Sequence, residues 1–352
     1  MTKLLAFLSA TLIAAFSGRA MADEVSSFCN MTQTQADVQR NLLNSPELFA
    51  TTGNPQTGNS STITAGVRWS LSKHLQAGTV SKLADANCDS YRVDAKLAEQ
   101  TKNVGQRADL KAIESMEPLM RQVLALANEE VKKEQALMQA KVSTLTNVKD
   151  AFDARDSIRT QLASLVQTRS RIGEQLPDAE VPLGELVRQS IEAKAEVANE
   201  TSQLAAQSAW DVSIAAGAQN DPRAQNRTQP FVGLTVSYSF GAPAANRAAN
   251  KVAGLTTQYL NEQRDGPLQQ YQRAIATVKG LVEGERIILQ GLEERKAFTD
   301  ATLERLTGIT TDDGQRAIRQ TRIERLASEA QIAGSVARLK FLQQWIERNK
   351  PI

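Results

Sequence analysis

The sequence predicts a mainly α-helical protein with a small all-β part. Ala, Gln, Leu, Arg and Glu dominate long stretches, and aromatic residues make up only 5% of the 352 residues, a composition typical of extended helices. Strict alternation of apolar and polar residues, the pattern of a strand with one apolar face, is confined to two short regions. The order of strands, long helix, tip and returning helix then occurs a second time, which indicates a tandem duplication.

The first 22 residues are predicted to be a signal peptide and not part of the fold. Lys3 supplies a positive start, residues 4–16 are largely apolar, and residues 20–22 (Ala-Met-Ala) form a small-x-small cleavage site. No later stretch approaches the ~20 apolar residues that a transmembrane helix requires. Export removes Lys3 and Arg19 and no acid, so the formal net charge falls from +2 to zero, and nothing favours nucleic-acid binding.

Few residues are suited to catalysis. The single histidine, His74, and the distant Cys29 and Cys88 leave little material for a zinc site or a His-based triad. We therefore predict no enzyme, no cofactor and no metal, and an exported hydrolase stays a minor alternative because Ser, Asp and Glu abound. In an oxidising compartment Cys29 and Cys88 are predicted to form a disulfide. Two unpaired cysteines in separate helix interfaces are the alternative.

Two β-hairpins are predicted, at residues 46–75 and 209–241. Residues 61–72 alternate strictly, a weaker run at 48–52 could pair with them, and residues 210–219 and 232–240 flank a polar loop. Strands of this length suit a tilted crossing of a membrane. Four aromatic residues fall at one end of these strands, as a membrane-interface girdle would: Trp69, Trp210, Tyr238 and Phe240. A soluble sheet with one face on a core would alternate identically, but the signal peptide and the one-sided aromatics favour the membrane.

Two helical hairpins are predicted around these strands, at residues 76–208 and 242–352. The first contains a continuous helix of about 64 residues, 79–142, and a break at 176–184 that carries two prolines. Residues 23–45 are predicted to be an N-terminal stub with at most a short helix. The helices carry narrow apolar stripes, such as Met120, Val123, Leu124 and Ala127, so they need neighbours along their length.

The duplication limits how the strands can be arranged. Residues 65–71 align with 232–238 at an offset of 167, and residues 142–147 align with 306–311 at an offset of 164. Four strands cannot close a barrel, and an open sheet edge in lipid would leave backbone groups without partners. A membrane-spanning chain must therefore oligomerise, and three copies would supply twelve strands.

The chain resembles the outer-membrane factors, the TolC-like export ducts, over most of its mature length. Residues 70–78 are similar to the family's exit from a strand into its first long helix. Residues 145–151, preceded by Val142-Ser143, are similar to its tip motif, and the second tip keeps Thr307-Gly308. The break at 177–184 lies where the family has its equatorial interruption.

The resemblance implies a homotrimer with a β-barrel in the outer membrane and a long α-helical barrel that extends into the periplasm. It would be a passive conduit of a tripartite efflux or type I secretion-like system. Its tips would dock a periplasmic adaptor and an inner-membrane transporter. The candidate docking residues are Val142, Thr144, Leu145, Thr146, Thr307, Gly308 and Ile309.

The chain departs from the family at its tips and at its N-terminus. Asn147 and Thr311 stand where the family usually has gating aspartates, and nearby acids could form the ring instead: Asp150, Asp153, Asp312 and Asp313. Solvated surface charge is the alternative for these four residues. The family also has a full N-terminal helix where this chain is predicted to have a stub. A Cys29–Cys88 bridge would staple that stub to the first long helix, with roughly 3–4 kcal/mol from loop closure.

The main alternative function is a periplasmic coiled-coil adaptor or a structural protein of an export assembly. Two helical hairpins in tandem, without a lipoyl-type segment, argue against an adaptor. The transported substrate and the pump are not encoded in any recognisable motif.

Overall fold

The computed structural model describes residues 18–54, 59–173, 181–220 and 228–350. Four sequence-based predictions therefore fall wholly or partly outside the described residues. They are the signal peptide, the turn between the first two strands, the proline-containing break and the loop between the last two strands.

The described part contains eight helices and four strands, which confirms the mainly α class with a small all-β part. The elements in chain order are α1 (Gly18–Asn44), β1 (Glu47–Asn54), β2 (Asn59–Ser70), α2 (Leu71–Lys102), α3 (Val104–Gln139), α4 (Leu145–Gly173), α5 (Leu183–Gln207), β3 (Trp210–Asn220), β4 (Thr228–Tyr238), α6 (Ala242–Glu262), α7 (Pro267–Leu306) and α8 (Asp312–Arg348). Among the helices of this part, none combines the length and the apolar character that crossing a bilayer requires.

The four strands form one antiparallel sheet in the order β1-β2-β3-β4. The two predicted hairpins are joined because β2 also pairs with β3, with Trp69 opposite Ile214. β1 and β4 are the edge strands, and each pairs with a single neighbour within the described sheet. β2 ends at Ser70 and α2 begins at once, so the strand stops two residues earlier than its alternating pattern.

The segment predicted as an N-terminal stub, residues 23–45, is helical almost throughout, because α1 runs from Gly18 to Asn44, so the expectation of at most a short helix is wrong. Its sequence carries many Thr, Gln and Asn residues, and only a few small side chains, such as Cys29 and Ala36, are buried. A helix with so few large buried apolar side chains gives little sign in the sequence of how far it extends. Cleavage after Ala22 stays a prediction and would leave residues 23–44 of α1.

The predicted continuous helix over 79–142 is also wrong, because it is divided at Asn103 between α2 and α3. Two local features explain the division. The Thr101 hydroxyl donates to the carbonyl oxygens of Leu97 and Ala98, at 2.8 and 3.1 Å, and so competes with the helical ladder. Asn103 and Gly105, two poor helix formers, follow immediately.

The two tips repeat at one offset. Lys141 and Gly308, which are 167 positions apart, are the residues with positive φ, 61° and 98°, that end the descending helices. α4 and α8 begin at Leu145 and Asp312, with the same separation. The offset of 164 inferred from the tip sequences is therefore wrong by three residues, and the tips share the offset of the strands.

Two compact units can be distinguished in the described chain. The sheet unit contains residues 24–54, 59–102, 181–220, 228–275 and 349–350. The tip unit contains residues 103–173 and 276–348, together with residues 18–23. In the sheet unit Ala36, Val80 and Ala84 form a small core between α1 and α2. In the tip unit α3 packs against α4 and α8 around a core of Met120, Val123, Ala127, Ile158, Leu162 and Ala330.

Candidate functional site

One face of the sheet is apolar and exposed. Residues paired across antiparallel strands point to the same side, and Leu48, Val67, Ala216 and Val232 form one continuous row of such pairs. Leu48 is 87% exposed and Val232 is 81% exposed. The large exposed side chains of this apolar face are Leu48, Ile63, Val67, Trp69, Ile214, Val232, Leu234, Val236 and Tyr238.

The opposite face is polar and more deeply buried. It carries Thr62, Thr64, Arg68 and Ser70 on β2 and Ser213 on β3, of which Thr62, Ser70 and Ser213 are buried. A sheet that folds in water buries its apolar face and exposes its polar face. This sheet does the reverse, which is the arrangement expected when the outer solvent is lipid.

The predicted aromatic residues lie at the end of the sheet where the strands join helices. Trp210, the first residue of β3, pairs with Tyr238, the last residue of β4. Trp69 is the residue before the last one of β2. Phe240 follows β4 and is 98% exposed. The structure brings all four to one end, and their contact with a membrane interface stays a prediction.

A charged network joins the sheet to the first turn of α2. Glu47 on β1 binds both Arg68, at 2.7 Å between Oε2 and Nη2, and Lys73. The carboxylate of Asp211 accepts hydrogen bonds from the hydroxyls of Ser70 and Ser72. These contacts fix the point at which β2 ends and the helix begins, and sequence patterns gave no sign of them.

Cys29 and Cys88 form the predicted disulfide, with 4.9 Å between their Cα atoms. One turn away, the rings of Phe28 and Tyr91 stack with centroids 4.1 Å apart. The Tyr91 hydroxyl donates to Glu24 at 2.5 Å, and this hydrogen bond, with burial, raises the pKa of Tyr91 to about 12. A covalent bond, a ring stack and a hydrogen bond therefore hold α1 against α2.

Both tips are built on the same capping pattern. The Thr144 hydroxyl accepts from the backbone N–H of Asn147 at 3.3 Å, and the Thr311 hydroxyl accepts from that of Gly314 at 3.2 Å. Each threonine thus caps the helix that begins at the next residue. Asn147 and Thr311, aligned with each other in the sequence comparison, occupy different positions in their tips.

The predicted docking residues and gate residues are exposed. The seven candidate docking residues are all exposed: Val142, Thr144, Leu145, Thr146, Thr307, Gly308 and Ile309. Leu145, at 74%, is the most exposed large apolar side chain among them. Asp150, Asp153, Asp312 and Asp313 are exposed as well. Asp313 binds Arg316 at 2.8 Å. A ring formed by these acids stays a prediction.

A buried charged cluster lies beside the tips, between α3 and α8. Glu134, only 1% exposed, accepts from Arg316 at 3.1 Å, from Arg319 at 2.7 Å and from the Ser143 hydroxyl at 2.6 Å. Arg319 also donates to Glu130 at 2.5 Å. We call these five residues the tip cluster. Its two acids and two arginines balance in charge, as buried ions must.

The tip cluster shifts the pKa values of Glu134 and Arg316 towards their charged forms. Burial alone would raise the pKa of Glu134, but hydrogen bonds from Ser143 and Arg316, with the charges of Arg316 and Arg319, hold it below its ordinary value of 4.5. Burial alone would lower the pKa of Arg316, but its bonds to Glu134 and Asp313 raise it. Both groups are therefore ionised at neutral pH.

The fold is similar to those of solved outer-membrane channels, although no family model and no curated protein matches the sequence. The outer-membrane channel OprN is 15% identical, with 93% of this chain and 87% of that chain covered and a TM-score of 0.47. A membrane protein from Pseudomonas aeruginosa is 13% identical, with 93% of this chain and 90% of that chain covered and a TM-score of 0.48. The outer-membrane protein VceC of Vibrio cholerae is 13% identical, with 90% of this chain and 93% of that chain covered and a TM-score of 0.46. The TM-scores of these three likenesses are below 0.5, so none of them carries an argument about function.

The sequence contained a sign of the tip cluster that apolar patterning alone overlooks. Met120, Val123, Ala127, Glu130 and Glu134 follow the alternating spacing of three and four residues that marks a coiled-coil seam. On α8 the same spacing joins Arg316, Arg319, Ile323, Leu326 and Ala330. Charged residues that continue a seam on two facing helices predict a buried ion network at its end.

Proposed function

We propose that this protein is one subunit of a homotrimeric outer-membrane duct that extends into the periplasm. The duct would serve a tripartite efflux or type I secretion-like system as a passive conduit. A conduit needs no catalytic groups of its own. The energy would come from an inner-membrane transporter, which a periplasmic adaptor would connect to the tips.

The inverted sheet is the observation that carries this proposal. An apolar face that runs across four strands and contains no charged side chain from Ile63 to Trp69 on β2 suits lipid contact. The hydroxyl, amide and guanidinium groups of the opposite face suit a water-filled passage. In a soluble adaptor, the apolar face would instead be covered by a core.

The two edge strands account for the proposed trimer. β1 and β4 each leave one side of the backbone unpaired within the described sheet, and such edges cannot face lipid because their N–H and C=O groups would lack partners. Pairing β4 of one subunit with β1 of the next removes every edge. Three copies give twelve strands, enough to enclose a passage.

The tips supply the proposed contact with the adaptor and the proposed ion filter. Leu145 and Ile309 place exposed apolar side chains on the two tips, where a partner helix could cover them. Asp150, Asp153, Asp312 and Asp313 would form acidic rings when three subunits assemble, and acidic rings attract cations.

Extraction and conductance test the proposed function. The mature protein should leave the membrane only with detergent, run as a trimer and form ion channels in planar bilayers. A soluble monomer recovered from the periplasm without detergent would contradict the duct and favour the adaptor or structural protein.

Neutralising the four tip aspartates tests the ring separately. Replacement of all four by asparagine should lower cation selectivity and change conductance, with the exposed Asp37 of α1 replaced in a matched control. Unchanged conductance and selectivity would show that the four acids are solvated surface charge.

A further inference from the structure

Two helices of the sheet unit are connected to its edge strands. α1 leads into β1, and α6 follows β4. The Cys29–Cys88 bridge joins α1 to α2, α2 packs on α5, and α5 packs on α6. The helices therefore follow the order of their strands, with α1 at one end of the row and α6 at the other.

α1 carries an apolar stripe on the side that faces away from α2. Its contact with α2 is made through Cys29 and Ala36, which are seven residues apart. Three large side chains, which are 50, 57 and 70% exposed, form the α1 stripe: Met31, Val38 and Leu42. Their spacing of seven and four residues places them on one helix face. Val38 follows Ala36 by two residues, a rotation of about 200°, so the stripe lies almost opposite the α2 contact.

α6 carries a similar stripe outside its buried face. The buried face includes Ala249 and Leu260. Leu255 and Tyr259, which are 62 and 61% exposed, come five residues and one residue before Leu260. They are therefore turned roughly 140° and 100° away from it around the helix. Two exposed alanines continue this face towards the sheet, and the four residues form the α6 stripe: Ala244, Ala248, Leu255 and Tyr259.

The two stripes lie where the proposed trimer brings two subunits together. Single apolar side chains are common on protein surfaces, but rows of them on a helix face mark a contact with another helix. Pairing β4 with β1 of the next subunit also brings α6 beside α1 of that subunit, because each helix is connected directly to its edge strand. The occupant that the geometry offers to both stripes is thus a second copy of this chain.

The stripes complement each other in size and charge. Leu42 and Val38 lie five and nine residues before β1, and Ala244 and Ala248 lie six and ten residues after β4. An antiparallel pair of α1 and α6 therefore sets large side chains against small ones. Residues 24–44 carry two acidic residues and one basic residue, whereas α6 carries two basic residues and one acidic residue. Opposite net charges favour α1 against α6 over two copies of one helix.

We propose that the α1 stripe of one subunit packs against the α6 stripe of the next subunit. This helix pair closes the joint between subunits next to the paired edge strands. The contact joins two different surfaces, so it repeats around a three-fold axis and closes a ring. The inference rests on the proposed function, since the pairing of β4 with β1 of the next subunit brings the two helices together.

Site-specific photocrosslinking of the full-length protein in membranes tests the contact. A benzophenone amino acid in place of Val38 or Tyr259 should yield covalent dimers on irradiation. Peptide mapping should place the crosslink from Val38 in α6, and the crosslink from Tyr259 in α1. Asn30 and Asn250, exposed on the same two helices but outside the stripes, are the matched control positions. They should give several-fold less dimer.

Truncation to alanine tests the same contact without a bulky probe. Val38→Ala with Leu42→Ala, and separately Leu255→Ala with Tyr259→Ala, should each lower the temperature at which the detergent-solubilised trimer dissociates by several degrees. All four substitutions together should add little beyond either pair, because each pair already removes the contact. Asn30→Ala with Asn250→Ala should leave the temperature unchanged. Circular dichroism checks that the helices of each variant are retained.

The outcomes separate this contact from the proposed function. A trimer whose stripe positions crosslink no better than the controls, or crosslink to lipid or to another protein, would show that the contact is wrong while the duct stands. Additive effects of the two alanine pairs would contradict the contact as well. A soluble monomer that needs no detergent and forms no covalent dimer would overturn the contact and the duct together.

Discussion

The sheet and the tip unit place polar groups in opposite ways. The sheet exposes apolar side chains such as Leu234 and turns hydroxyls inward, whereas the tip unit buries an apolar seam and exposes most of its charges. The buried charged residues of the tip unit include Glu130 and Glu134, which Arg316 and Arg319 neutralise. Burial of a residue type therefore depends on the solvent outside each region and on the partner inside it, not on hydrophobicity alone.

A charge on the apolar face of the sheet should have the largest effect. Leu234→Arg is expected to prevent stable insertion and trimer formation, because arginine in contact with the lipid core costs about 2–4 kcal/mol per subunit. Thr235→Arg, one residue away on the polar face, should be tolerated. Heat-resistant trimer recovered from membranes measures both. Equal loss in the two variants would contradict an inverted sheet.

The tip unit should be most sensitive at its buried charges. Glu134→Gln leaves Arg316 and Arg319 with one buried acid fewer, and breaking a buried ion network in this way costs about 3–5 kcal/mol of unfolding free energy. Asp313→Asn removes a solvent-exposed partner of the same Arg316 and should cost no more than ~1 kcal/mol. Urea denaturation compares the two variants. Similar midpoints would mean that the tip cluster contributes nothing beyond a surface ion pair.

Removing the disulfide should weaken the attachment of α1 to α2. Cys29→Ser with Cys88→Ser is expected to lower stability by roughly 3–4 kcal/mol, because the bridge restricts the unfolded chain. Limited proteolysis of α1, compared between the variant and the untreated wild type, locates the effect. Unchanged cleavage and an unchanged denaturation midpoint would show that the ring stack of Phe28 and Tyr91 suffices.

The smallest predicted effect concerns Glu200, a buried carboxyl on α5. Burial is the main cause that raises the pKa of Glu200 above 4.5, and the neighbouring charge of Glu196 adds to it, while the charge of Lys82 opposes it. One oxygen of this carboxyl group has no hydrogen-bond partner in the described part of the chain. The folded state therefore binds its proton more tightly than the unfolded chain does. The resulting stability is fully present below pH 4.5 and is lost as the pH rises through the raised pKa.

Glu200→Gln should abolish this pH dependence and raise stability at neutral pH by about 1 kcal/mol, because no ion is then buried. Glu192→Gln, an exposed position on the same helix that binds Arg188, is the control. Denaturation midpoints of the wild type, Glu200→Gln and the control, measured at several pH values above 4.5, test this prediction. Parallel curves for Glu200→Gln and the wild type would contradict the prediction.

Sequence patterns predicted what depends on local periodicity and missed what depends on register between distant segments. The alternating pattern predicted the helix-joining ends of β2, β3 and β4 to within two residues of their observed positions. The predicted export to an oxidising compartment was enough to predict the Cys29–Cys88 disulfide. The division at Asn103 escaped because one threonine hydroxyl competes with a single helical turn. The contact of Phe49 with Phe231, whose ring centroids lie 6.2 Å apart, could not be foreseen, since it depends on three successive strand registers.

Quenching of tryptophan fluorescence by brominated phospholipids tests the central claim, that the apolar face of the sheet lies in lipid. The chain has three tryptophans: Trp69 and Trp210 at the sheet, and Trp345, which is buried on α8. Variants that keep one tryptophan and carry phenylalanine at the other two positions would be reconstituted in vesicles. We expect strong quenching of Trp69 and Trp210 and none of Trp345. Equal quenching of Trp69 and Trp345, or quenching of neither, would contradict the account.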